Sequence, residues 1–440
     1  MKSRKLTISF KKIKILGGLI LSAFLLFIIF AVVESSLAAK AEAENLAEKI
    51  ASPTPFLPGS EEEIAFPDSE TQQLLTATPR PTVIYEDGIY PTALPAALPT
   101  LVNISPYSIP EGINPLTGEY PSSIDLLERR PIASKIALFP RYIRPMSGLT
   151  LSDVVFEYYI EAGLTRFVAV FYGNDADQVG PVRSGRFFDE HVARMYQSYL
   201  VFKYADPRVY DYLKSTNINQ FLVVPGSTAC PPFFIGKSDR DRDTYNNIFF
   251  NTTKFAACLE KQEKDNSSPD LRAGYFSVAP PSFAEPVLGI YTRYSLDNYH
   301  YWGYDPTSHI YYRHQEINNV RDEGNTPNYA PLRDALTNQQ VSADNLVYLF
   351  VPHTFENSYQ EEDEVYHIDL FGSGKAYLFR DGIVLPAYWQ RTETDQPLLI
   401  TDLKGMPLSL KPGRTFYEVL GESSTYTEKN AQAFFLFETP

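Results

Sequence analysis

Residues 150–171 read Thr-Leu-Ser-Asp-Val-Val-Phe-Glu-Tyr-Tyr-Ile-Glu-Ala-Gly-Leu-Thr-Arg-Phe-Val-Ala-Val-Phe, and how this run divides decides the fold. Thr150 and Asp153 stand three residues apart ahead of an apolar run, the pattern of a capping box. Gly163 supplies a C-terminal stop, so a helix is expected from Thr150 to about Ala162. Residues 164–171 then read as a strand, 173–177 as a turn and 178–184 as the return strand of a hairpin. Outward from this centre, 132–139 reads as a strand and 187–197 as a helix. A strand follows at 199–205, a short helix starts at Pro207, and 221–224 is a further strand. Strands alternating with helices indicate a mixed α/β domain over 113–280.

Pro280, Pro281 and Pro286 mark a boundary. Beyond it the chain is Tyr-rich and strand-like at 290–296, 309–314, 346–351, 365–370, 375–380, 397–401 and 415–420. Asp381-Gly382 and Pro412-Gly413 supply turn chemistry. Residues 286–425 are therefore expected to form a second, mainly antiparallel β domain. The fold class is α+β, and no internal repeat is visible.

Ahead of both domains the chain changes character. Residues 1–14 carry six basic side chains and no acid, and the nineteen residues 15–33 carry no charge. At 1.5 Å per residue that run spans about 28 Å, the thickness of a bilayer core. The basic flank keeps the N-terminus cytoplasmic, so one transmembrane anchor is expected with everything beyond Glu34 exported. Ser36-Leu37-Ala38 and Ala39-Lys40-Ala41 resemble cleavage sites, yet the apolar run is longer than a signal peptide needs. No Cys follows it to accept a lipid. Residues 34–112 are Ala/Glu-rich and then Pro-rich, with 13 of the 34 prolines between Ala51 and Pro121. Such a segment cannot bury a core and reads as a disordered stalk, reaching about 50 Å as a flexible coil.

Setting aside the N-terminal positives leaves 33 basic against 53 acidic side chains, a net charge of −20. That balance argues against nucleic acid, whose phosphates need a basic footprint. The only cysteines, Cys230 and Cys258, are candidates for a disulfide, the default in an exported protein, although two buried thiols fit the sequence equally well.

Two sets of charged residues could carry chemistry. Asp153, Glu157 and Glu161 fall on one face of the expected helix, where like charges at four-residue spacing call for cations opposite. Arg144, Arg166, Arg183 and Arg186 lie on or near the central hairpin, and guanidinium forks suit phosphate or carboxylate. The bland reading pairs the two sets as a structural network. The functional reading makes them a ligand-binding pocket. Other motifs fall away. Gly372-Ser-Gly-Lys375 lacks the first Gly and the Ser/Thr of a phosphate loop. Asp239, Asp241 and Asp243 lack the Gly and Glu of a calcium loop. His300, His309, His314, His353 and His367 show no metal-ligand spacing. The run from Tyr299 to Tyr304 could stack on sugars, but reads first as strand core. No metal or cofactor is called for.

These residues together resemble the YerB-like family, exported two-domain bacterial proteins carried as a domain of unknown function. The resemblance rests on Asn114-Pro-Leu-Thr-Gly118, Arg130-Pro131, Arg144-Pro-Met-Ser-Gly-Leu149, Asp153-Val-Val-Phe-Glu157, Glu161-Ala-Gly-Leu-Thr-Arg-Phe167 and Gly180-Pro-Val-Arg-Ser-Gly-Arg186. In the second domain it includes Leu370-Phe-Gly-Ser-Gly374, Arg380-Asp-Gly382 and Leu410-Lys-Pro-Gly-Arg-Thr415. It implies the two-domain organisation but no activity. Where the family has Gly-Gly-Ser and Pro-His-Asn, this chain has Ala205-Asp206-Pro207 and Tyr245-Asn246-Asn247. Many members are lipoproteins, whereas this chain has a helix in place of the lipid. An acid followed by an Arg-rich strand–turn–strand on an anchored protein is also similar to the LytR-CpsA-Psr phosphotransferases. The expectation is a plasma-membrane-tethered extracytoplasmic binding module for an anionic glycan, a lipid-linked envelope precursor or a protein partner. The alternative is an envelope phosphotransferase or hydrolase.

Overall fold

The computed structural model describes residues 103–236, 246–281, 284–322, 324–357 and 364–438. The expected anchor at 15–33, most of the stalk and the three aspartates at 239–243 lie outside these residues. Among the described residues no helix is long and apolar enough to cross a membrane.

The run at 150–171 folds as two strands rather than a helix and a strand. A 3-10 turn at Leu149–Leu151 leads into the strand Val154–Tyr159, which returns through a tight turn to Thr165–Phe171. Thr150 and Asp153 serve other partners than a helix. The Thr150 amide and hydroxyl bond Asp334, and Asp153 accepts from the amides of Tyr172 and Gly173. Val154, Val155, Phe156, Tyr158 and Tyr159 are β-branched or aromatic and favour a strand. The strand is buried on both faces, so it lacks the polar alternation that would have announced it. Residues 178–184 are not a regular strand either. They cross the sheet with single bridges at Gly180 and Val182, next to Pro181, which has no amide to give a ladder.

Among the described residues the largest element is an eleven-stranded sheet, and both domains build it. Ile132–Ala137, Val154–Tyr159, Thr165–Phe171 and Tyr199–Val201 come from the first domain. Asn345–Val351, Gly372–Arg380, Ile383–Arg391 and Thr415–Gly421 come from the second. The join is the parallel pairing of Val154–Tyr159 with Thr415–Gly421, which sets Glu418 beside Glu157. A seven-stranded sheet around Gly289–Arg293, Tyr299–Asp305, Ile310–Glu316 and Gln432–Leu436 covers one face of this join. The helix Phe188–Met195 covers the other, its Phe188 ring 4.4 Å from that of Tyr158. The second domain runs past residue 425, because Thr425–Lys429 and Gln432–Leu436 close the smaller sheet. At the other end, Asn103–Ile104 already pairs with Phe276–Ser277, ahead of the expected start at 113. The described residues are mostly β-sheet with few helices; the first domain alternates strands with the helices Phe188–Met195, Pro207–Ser215 and Phe255–Lys261, and Tyr199–Val201 runs parallel to both Ile132–Ala137 and Leu222–Val223.

Cys230 and Cys258 form a disulfide that ties the segment after Leu222–Val223 to the helix Phe255–Lys261.

Candidate functional site

Strand alternation sorts the expected charges onto two faces. Tyr158 stands opposite Arg166 and Arg166 opposite Ala137, so Tyr158, Arg166 and Lys135 share the face under the helix. Glu157, one residue along, points to the opposite face, toward the smaller sheet. The expected stripe of Asp153, Glu157 and Glu161 therefore does not act as one surface.

On the helix side, Lys135 is fully buried and its Nζ donates to Asp189 Oδ1 at 2.9 Å and to the Tyr158 hydroxyl. The Tyr158 hydroxyl in turn donates to Asp189 at 2.5 Å. Burial lowers the Lys135 ammonium to about 7, with Asp189 opposing and Arg166 and Arg186 reinforcing the shift. Above this triad lies the Arg cluster. Arg166 comes from the strand, and Arg183 and Arg186 come from the irregular segment behind Gly180-Pro181. That segment is seated by backbone bonds from Arg183 to Lys135 and from Gly185 to Tyr204. A Cβ at Gly185 would stand 3.1 Å from the Phe202 ring, which fits the glycine between the two arginines.

Arg186 grips both oxygens of Glu161, with its Nε 2.9 Å from Oε2 and its second contact from Nη2 to Oε1. Arg166 Nη2 stands 3.5 Å from the same Oε1, and Arg183 Nη1 donates to Asn246 Oδ1 at 2.7 Å. Burial pushes the Glu161 carboxyl up, but Arg186 and Arg166 outweigh it and hold the group below its ordinary value. Burial and Arg186 lower Arg166 to about 10, still cationic at neutral pH. Two guanidinium groups and a lysine thus meet two carboxylates, Glu161 and Asp189, with the Arg183 guanidinium near enough to Arg166 to add to the positive charge. Asp206 is nearby but forms its own pair with Arg208 at 2.9 Å.

The remaining expected site residues lie elsewhere. Arg144 pairs with Glu316 of the second domain, Nη2 to Oε1 at 2.8 Å, and donates to the Leu138 carbonyl. Asp153 is buried at the far end of its strand, bonded by Asn114, Tyr172 and Gly173, and burial raises its carboxyl to about 6. Glu157 joins a second cluster whose other members carried no local signal. Arg313 Nη1 lies 2.7 Å from Glu157 Oε2 and 3.0 Å from Glu418 Oε1, and all three side chains are fully buried. Glu418 also accepts from Trp302 Nε1 at 3.1 Å and from the Tyr294 hydroxyl at 3.2 Å, and His300 Nε2 is 3.1 Å away.

The ligating atoms of Glu157, His300 and Glu418 lie within 4.8 Å of one another, close enough to share a metal. Arg313, however, already lies against both carboxylates. A divalent ion added to two carboxylates and a guanidinium leaves a net positive charge in a dry interior, whereas one proton leaves none. Burial raises the Glu418 carboxyl, and burial with Arg313 drives the His300 imidazole well below its ordinary value. This cluster braces the two sheets. Two cavities of about 20 and 30 Å3, one lined by Tyr291, Tyr299 and Tyr329 and one by Tyr196, Phe276 and Tyr417, have room for a water or two.

With this architecture in hand, comparison with known proteins is specific. Residues 116–266 match the N-terminal domain, and residues 290–417 the C-terminal domain, of a protein of unknown function (DUF3048). The chain belongs to this family of two-domain YerB-like proteins. It is 24% identical over 316 residues to the "Putative lipoprotein YerB" of Bacillus subtilis (strain 168), covering 70% of this chain and 85% of the relative. The crystal structure of the Bacillus subtilis YerB protein has the same fold, with a TM-score of 0.55 at 22% identity over 70% of this chain and 96% of that one.

Proposed function

We propose that this protein is a membrane-tethered extracytoplasmic module that binds an oxyanion, the phosphate of an envelope glycan or lipid-linked precursor, at Arg166, Arg183 and Arg186. The observation that carries the reading is the local excess of cations. Arg166 and Arg186 converge beside Lys135 on a single partly exposed carboxylate, with Arg183 close enough to Arg166 to lower its pKa, in a chain whose exported part is strongly acidic. Guanidinium forks held by their own backbone contacts are pre-organised for bidentate oxyanion contact. The charged N-terminal flank and apolar run support a helix as tether. The lipoprotein name of the Bacillus subtilis relative supports an exported, membrane-anchored setting. Binding is favoured over transfer chemistry because Asp153, the acid a phosphotransferase would need beside the arginines, is spent on the 172–173 backbone.

The test is calorimetric titration of the detergent-solubilised full-length chain with inorganic pyrophosphate. Binding that weakens about ten-fold or more in Arg186→Gln is expected from the loss of one bidentate charge-assisted contact. Equal affinity in the variant would sink the assignment of this site.

A further inference from the structure

The Arg cluster is occupied by a carboxylate that the chain itself supplies. Glu161 presents its two oxygens to Nε and Nη2 of Arg186, the fork-to-fork contact that a phosphate would make, and Arg166 reaches the same oxygen from the side. The partners are unequally held. The arginine side chains are only 8% and 16% exposed, and each is anchored by a further bond to a backbone carbonyl. Arg166 Nη1 donates to Ser184 at 3.0 Å and Arg186 Nη1 to Gly185 at 2.9 Å. Glu161 is 32% exposed and stands at the tip of the tight turn between its two strands. That turn keeps its shape without the Glu161 side chain. Its residues Ala162 and Gly163 have positive φ, Leu164 donates to the Glu161 carbonyl, and Glu364 accepts from the Ala162 amide at 2.6 Å. Asp189, the other carboxylate, is fully buried on Lys135 and cannot follow.

From this asymmetry we propose that Glu161 is an internal stand-in for the ligand: an incoming oxyanion displaces its carboxylate from Arg166 and Arg186, so Glu161 sets the affinity threshold of the site. The inference rests on the anion-binding reading above and adds to it a gate with a stated residue. A partly exposed carboxylate at the tip of a turn has water to rotate into, and what it loses are the contacts to Arg166 and Arg186 that an incoming anion restores. The two guanidinium groups it leaves are desolvated and bind whatever anion replaces it. Ligands with two or more negative charges on adjacent oxygens displace it; a monovalent anion does so poorly.

The experiment compares the full-length chain with Glu161→Gln and Glu161→Asp in titrations with pyrophosphate and with chloride at constant ionic strength, far-UV circular dichroism confirming the fold of each. Glu161→Gln should bind pyrophosphate about ten-fold more tightly than the natural chain, the worth of one competing charge-assisted contact. Glu161→Asp, whose carboxylate sits one methylene farther back, should fall between them, and it keeps the test open should the glutamine variant not fold. Pyrophosphate bound by the natural chain but equally or more weakly by both variants overturns the stand-in role and leaves the anion site. Binding by none of the three overturns both.

Discussion

Lys135 lies inside the apolar run Ile132-Ala-Ser-Lys-Ile-Ala-Leu138, and a lone charge in such a run is the signal that the sequence offered for the site and that motif reading passed over. Its consequences follow from its lowered pKa of about 7. Below pH 7 it adds a positive charge beneath Arg166 and Arg186; above, it does not. Sulfate, which keeps its charge across this range, should therefore bind on the order of ten-fold more weakly at pH 8.5 than at pH 6, and Lys135→Met should flatten that profile. The same shift has a sign for stability. The unfolded chain keeps this proton up to about 10.4, whereas the folded chain releases it near 7. Stability therefore rises with pH across that window, a trend urea titrations of the natural chain and Lys135→Met would separate. Arg166, Arg183, Arg186 and Glu161 were legible as a charged set because they crowd into short stretches around two strands. Arg144, Asp153 and Glu157 look equivalent in the sequence and differ only in which face and which end of a strand they occupy.

At the scale of elements, Thr165–Phe171, Phe188–Met195 and about half of the second-domain strands announce themselves by composition and turn residues, whereas Ile383–Arg391 and Gln432–Leu436 do not. Val154–Tyr159 does not, because a central strand buried on both faces has no alternation, and Thr150 with Asp153 imitates a helix cap. Nor could any local pattern find the Glu157–Arg313–Glu418–His300 cluster, whose members meet only because two distant strands pair in parallel and a second sheet closes over them. That pairing sets two carboxylates on one guanidinium, and burial raises Glu418 above its ordinary 4.5. The folded chain thus holds a proton there that the unfolded chain releases near pH 4.5. The stability it brings is full below that pH and is lost as pH rises through the raised value. Urea denaturation should show the natural chain losing about 1.4 kcal/mol per pH unit within this window, and Glu418→Gln, neutral with Arg313 and Glu157 alone, should lose less. Changing both glutamates to glutamine strands Arg313 and should cost roughly 3–5 kcal/mol at any pH. A double variant as stable as the natural chain would contradict the bracing role.

For the whole molecule, the two family domains are continuous through one sheet, with Val154–Tyr159 and Thr415–Gly421 fully buried at the join. The boundary near residue 280 is a feature of the chain rather than a seam in the core. Cutting there would expose the edges of two central strands, so calorimetry should show the domains melting in one transition, and two resolved transitions would argue against a shared core. This joint frame holds the turn at Glu161 from one domain and Glu364 from the other, and so fixes the site on which the functional account depends. The most direct measurement is a crystal structure of the chain with pyrophosphate. The account predicts the anion bonded to Arg166 and Arg186, with Glu161 turned out to solvent. Glu161 still clasped by Arg186, with pyrophosphate elsewhere or absent at saturating concentration, would contradict it.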